Sequence, residues 1–147
     1  MAIISPMKVF VDSDVIISSL ISSSGAAYAL LHSAQNTKLY VSNFSINELE
    51  KVVDRMKLNR TMLDKVINTQ FVKVEINQSY KKIMSEYSGY VRDPDDAHIV
   101  AGATKAKASF LLSYNLRHFN AEKLREDFQI ILLTPGLFLQ YIRSLSP

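Results

Sequence analysis

From Lys8 to Val11 the chain reads Lys-Val-Phe-Val, and it then reaches an aspartate, Asp12. Three successive β-branched or aromatic residues show no polar–apolar alternation, so both faces of this segment meet protein rather than water. A strand buried on both faces belongs in the middle of a parallel sheet. Parallel strands need crossover connections, usually helices, and these cover the sheet on its two sides. This one feature argues against a helical bundle and against an antiparallel sheet with a wet face. It also leaves a carboxylate at the end of an apolar strand, which is costly unless it is paired, protonated or bound to a cation.

The rest of the chain supplies the partners such a strand needs. Four further short apolar segments read as strands: 38–42, 71–76, 109–113 and 129–133. Helical spacing predicts helices from about Val15, over 25–35, 45–58, 60–69, 80–87, 94–107 and 121–126, and again from Pro135 to Tyr141. The expectation is a three-layer α/β/α sandwich around a parallel sheet of about five strands. No repeat or linker divides the 147 residues, so a single domain is expected over 7–147, preceded by a loose tail at 1–6.

Composition narrows the function classes. There is no cysteine, which excludes disulfides and thiolate metal sites and suits a reducing cytoplasm. No apolar run is long enough to span a bilayer, and no signal-peptide pattern opens the chain, so no membrane is expected. The formal charge of +3 is compatible with an anionic polymer but does not by itself argue for one.

Ligands of parallel sheets bind beyond the carboxyl ends of the strands. Four polar residues fall at that edge: Asp12, Glu48 after the second strand, Asp96 at the start of the 94–107 helix, and Asn115 after the fourth strand. Convergent carboxylates repel unless a proton or cation lies between them. As hard oxygen ligands they suit magnesium or manganese, and His32, His98 and His118 lack zinc-ligand spacing. Structural readings stand beside these. Ser45 and Glu48 also form a capping-box pattern, with Glu48 in the first turn. Asp93-Pro94 is ordinary helix-start chemistry, and Asp14 is as readily a helix cap. Asp96 precedes Ile99, Val100 and Ala103 at helical spacing and so faces inward, with Asp93 and Asp95 ranked behind it. Glu50 shares a face with Asp54 and Lys57 and reads as solvated surface.

Taken in order, these motifs resemble the PIN-domain ribonucleases, above all the single-domain toxins of prokaryotic toxin–antitoxin pairs. The similarity is carried by Val9-Phe10-Val11-Asp12-Ser13-Asp14-Val15-Ile16, by Ser45-Ile46-Asn47-Glu48-Leu49, by Arg92-Asp93-Pro94-Asp95-Asp96-Ala97-His98-Ile99-Val100 and by Phe110-Leu111-Leu112-Ser113-Tyr114-Asn115 with Leu116-Arg117-His118-Phe119. It extends from about Lys8 to Ile142. The resemblance implies strand order 3-2-1-4-5, magnesium- or manganese-dependent cleavage of RNA, an antitoxin partner and a homodimer. It assigns catalysis to Asp12, Glu48, Asp96 and Asn115. Many relatives carry Asp where this chain has Asn115, a neutral oxygen donor, so a one-metal site is expected, held by Asp12 and Asp96 with Glu48 direct or through water. Ser13 is either a hydrogen-bond donor to a ligand carboxylate or a turn hydroxyl. Arg92 and Arg117, then Lys105, Lys51 and Arg55, are candidates to grip phosphates, and Tyr114 and Tyr90 are either stacking groups or packing groups.

Two other readings accompany this one. A catalytically weak or inactive PIN-like module binding RNA or protein is compatible with Asn115. A haloacid-dehalogenase-like phosphotransferase is suggested by Asp12-Ser13-Asp14, although Ile16 replaces that family's usual Thr or Val.

Overall fold

The computed structural model describes residues 5–145. Of the expected tail, residues 1–4 lie outside the described residues, and Ser5 and Pro6 are exposed coil. Five strands, β1 (Met7–Val11), β2 (Thr37–Ser42), β3 (Phe71–Val74), β4 (Phe110–Leu112) and β5 (Ile131–Leu133), form one sheet in the order β3-β2-β1-β4-β5. Every pairing is parallel. The parallel sheet and its strand order are as expected, and β1 is indeed central.

Alternation along the strands divides the core into two layers. Val9, Val11, Leu39, Val41, Phe110 and Leu112 face one side. There they meet α1 (Ser13–Ile21), α2 (Ala26–Ser33), α3 (Asn43–Arg55), α4 (Arg60–Gln70) and α8 (Pro135–Ser144). Phe10, Tyr40 and Leu111 face the other, against α6 (Ala97–Lys105) and α7 (Ala121–Phe128), with α5 (Tyr80–Tyr87) packed on α6. Phe10 is fully buried, which is worth roughly 2–3 kcal/mol for a side chain of its size. Gly102 makes that burial possible. A Cβ at this position would overlap the Phe10 ring, so only glycine lets α6 lie this close to β1.

Several boundaries differ from the sequence reading, each for a local reason. The first helix begins at Ser13 rather than Val15, because Asp12 itself is the N-cap and accepts from Ser13 N. The third begins at Asn43, capped by Ser42, whose Oγ accepts from Ser45 N. Ser45 is therefore inside the helix and not its cap, and Glu48 lies in the second turn, not the first. The strand predicted to start at Gln129 starts at Ile131, since Gln129 takes a left-handed conformation that ends α7.

Candidate functional site

The register of the central strands brings the first and fourth motifs together. Val11 pairs with Leu112, so the next residues, Asp12 and Ser113, leave the sheet side by side. Ser113 is fully buried and its Oγ donates to Asp12 Oδ2 at 2.8 Å, while Asp12 Oδ1 accepts from Ser13 N at 2.7 Å. Asp14 reaches across to the same loop. Its Oδ2 accepts from Asn115 Nδ2 at 2.9 Å and from Tyr114 N at 3.1 Å, and lies 3.4 Å from Ser113 Oγ. Asp14 is thus not the cap of α1 but the bond between the first and fourth motifs.

Two carboxyl groups this close, with little water, are electrostatically costly. Burial, then the charge of Asp14, pushes the Asp12 carboxyl up to about 8; Asp96 adds a smaller rise, and the Ser113 and Ser13 hydrogen bonds oppose it. Burial also raises Asp14, against the hydrogen bond from Tyr114 N and the nearby His118.

The third motif is fastened to the fourth by backbone. Val91 and Phe119 form an antiparallel bridge, Arg92 N donates to His118 O at 2.9 Å, and Asn120 N donates to Tyr90 O at 2.9 Å. Asp93 caps the short 3-10 turn of residues 94–96 by accepting from Asp95 N at 3.0 Å. Asp96, at the end of that turn, is half-buried and its Oδ2 stands 3.6 Å from His118 Nδ1. Burial raises its carboxyl, His118 and His98 lower it, and the charges of Asp93 and Glu48 raise it further. Glu48 shares this field from α3. Its Oε2 lies 3.1 Å from His98 Nε2, across the α3–α6 contact. No capping bond from Glu48 back to Ser45 forms among the described residues; the carboxylate turns to the buried His98 instead.

Asp12, Asp14, Asp96 and Glu48 therefore act on one another at one end of the sheet. Their donor atoms are all carboxylate oxygens, which fit a hard divalent cation. The fit is chemical and not yet geometric: among the described residues no three Asp, Glu or His side chains are gathered as a metal-holding group.

The remaining candidates sort themselves by surroundings. Ser13 Oγ is buried without a hydrogen-bond partner, and its backbone N–H, not its hydroxyl, serves Asp12. Arg92 and Arg117 are exposed beside the third and fourth motifs. Lys51 lines a cleft of about 460 Å³ with Phe44, Asn47, Glu48, Tyr80, Asp95, Asp96 and His98. Lys105 instead lines a different cleft, with Ile76 and Tyr87, and Arg55 is exposed near the end of α3. Tyr90 packs against Phe128 and bonds Asp127 at 2.6 Å, whereas Tyr114 stays exposed. Glu50 is half-buried and paired with Arg60, so it is not free surface. Sequence reasoning missed Ser113, His98 and His118. Strand order 2-1-4 held the clue to Ser113, because it sets the end of β4 beside Asp12. The two histidines gave no such signal, since helix contacts across the fold are not written in local spacing.

A PIN domain family model matches residues 8–117, which contain the first three motifs and the fourth as far as Arg117. The chain belongs to the PIN domain family. No curated protein matches the sequence. Among solved structures the PIN domain described here is similar to VapBC2 from Rickettsia felis, crystallised bound to a DNA fragment from their promoter. The TM-score is 0.58 with 15% identity, over 86% of this chain and 97% of that one. At that identity the likeness speaks to the fold, a parallel sheet with helices on both sides. No single helix among the described residues of this PIN domain is long and apolar enough to cross a membrane.

Proposed function

We propose that this PIN domain is a magnesium- or manganese-dependent endoribonuclease. One observation carries the reading: the half-buried Asp12 carboxyl, pushed up to about 8 and facing the charges of Asp14 and Asp96, is an arrangement that a divalent cation would relieve. Asp12 and Asp96 would hold the ion, with Glu48 direct or through water. When bound, the ion supplies Lewis-acid polarisation of a phosphoryl oxygen and an acidified water. The chain's own residues do the rest. Ser113 and Ser13 N hold Asp12 in one orientation. His98 fixes Glu48, and His118 offsets the charge of Asp96. Asn115 ties Asp14 in place rather than adding a fourth acid, in keeping with one metal. Arg92 and Arg117 are the exposed cations available to RNA phosphates, and hydrolysis would leave a 5′-phosphate and a 3′-hydroxyl.

We further propose that the protein is the toxin of a toxin–antitoxin pair, cytoplasmic, homodimeric and held by a cognate antitoxin. The structural likeness to VapBC2 supports this, as does the acidic edge, which would attract a basic inhibitory segment. The test is cleavage of unstructured RNA by the purified protein and by Asp96→Asn, with magnesium, with manganese and with chelator. Metal-dependent cleavage lost in Asp96→Asn is expected; equal cleavage by both proteins would sink the site. A non-catalytic binding module is the second reading, favoured by the carboxylates not being gathered and by Asn115. Calorimetry showing no manganese binding near neutral pH would select it.

A further inference from the structure

The cleft between α3, α5 and the 3-10 turn of residues 94–96 has features that the acidic site does not explain. Tyr80, at the start of α5, is 42% exposed, yet its ring is fixed because its hydroxyl donates to Asp95 Oδ1 at 2.7 Å. Phe44 lies between Tyr80 and His98, with ring centroids 6.2 Å from each and interplanar angles of 32° and 29°. His98 lines the same cleft, is only 7% exposed, and its Nδ1 has no hydrogen-bond partner. Glu48 and Asp96, both assigned to the cleavage site, form part of the wall.

We propose that this cleft is a subsite for one unpaired nucleobase of the RNA strand, taken up next to the bond that is cut and stacked on Tyr80. The inference rests on the ribonuclease reading and deepens it. Three lines of chemistry favour a base over other occupants. Glu48, Asp95 and Asp96 outnumber Lys51, so the cleft repels a phosphate but not a neutral ring. A fixed, exposed aromatic face is what an unstacked base seeks, and fixing it beforehand lowers the ordering cost of binding. The volume of about 460 Å³ lies in the range of small-molecule pockets, enough for one base and too small for a duplex. Lys51 at the wall would meet the phosphate that follows the base. Recognition through the ring face tolerates any base, so the subsite selects unpaired over paired RNA rather than one sequence.

The test uses the full chain with magnesium and a cleavage-resistant phosphorothioate oligoribonucleotide in which 2-aminopurine is moved along the strand. Stacking quenches the probe at one position. Tyr80→Leu is expected to abolish that quenching and weaken binding about 5- to 150-fold, as expected for losing one base–aromatic stack. Tyr80→Phe, which keeps the ring, is expected to retain most of both, and circular-dichroism melts check that each variant is folded. Unchanged quenching in Tyr80→Leu overturns the subsite and leaves the ribonuclease reading standing. Failure to bind any RNA, with saturable binding of an arginine-bearing peptide that Asp95→Asn weakens, overturns both and assigns the cleft to a protein partner.

Discussion

The corner around Asp12 and the cleft around Glu48 hold the same kind of side chain under opposite conditions. At the corner, Asp12 and Asp14 are packed between β1 and the loop after β4, and both are held by backbone N–H groups and side chains fixed by the sheet register. At the cleft, Glu48 is 46% exposed and its carboxylate faces one imidazole, that of His98. The corner is enclosed and electrostatically strained; the cleft is open to solvent. The first acid is positioned by the sheet register, the second by a contact between two helices.

The comparison is broken most directly at Asp12. Asp12→Asn should lower RNA cleavage by at least about 100-fold in steady-state assays, because a neutral amide removes the fixed anionic ligand. Glu48→Gln should cost less, and an equal loss in both would erase the distinction between corner and cleft. The next largest effect concerns pH. Folding raises the Asp12, Asp14 and Asp96 carboxyls, so the folded chain binds these protons more tightly than the unfolded one. Their contribution is complete below about pH 4 and, for Asp12, is lost as pH rises toward about 8. In chelator the melting temperature should therefore fall from pH 6 to pH 8.5, and manganese should restore more at the higher pH. A metal-free melting temperature that rises over this interval would contradict the strained corner.

Smaller effects sharpen the picture. Ser113→Ala leaves Asp12 Oδ2 without its donor and Asn115 N without its acceptor, so a loss of about 1–3 kcal/mol by denaturant unfolding is expected. The smallest effect belongs to the cleft. His98→Gln retains an N–H for Glu48, and cleavage should fall only a few-fold, mostly in kcat, with little change in stability. A stability loss as large as that of Ser113→Ala would mean that the His98–Glu48 contact supports the fold as strongly as the corner does.

The corner was legible in the sequence because it follows from strand physics. An apolar run on both faces made β1 central, and a carboxylate at its end had to be accounted for. A helix within 94–107 was legible from its apolar spacing, but it spans Ala97–Lys105, because Asp93-Pro94 starts a short 3-10 turn over 94–96 ahead of it. The cleft was not. Ser45 looked like a helix cap because its spacing to Glu48 imitates one, but Ser42 ends β2 in extended conformation and takes the role first. Asp14 was ambiguous because a carboxylate two residues past a strand can serve its own helix or a neighbouring loop; only the β1–β4 pairing decides. His98 and Glu48 lie 50 positions apart on two helices, and no period in either helix signals their contact.

The hydrogen bond from Ser113 to Asp12 joins residues 101 positions apart. Proteins emerge from the ribosome amino end first, at about 5–20 residues per second. The first acid of this site therefore waits for several seconds, by that rate, before its partner exists. Until the fourth strand and the segment through Phe119 have emerged, the chain has an aspartate with no corner to sit in. Any activity that depends on this corner is thus withheld from every nascent copy until the segment that carries Ser113 has emerged.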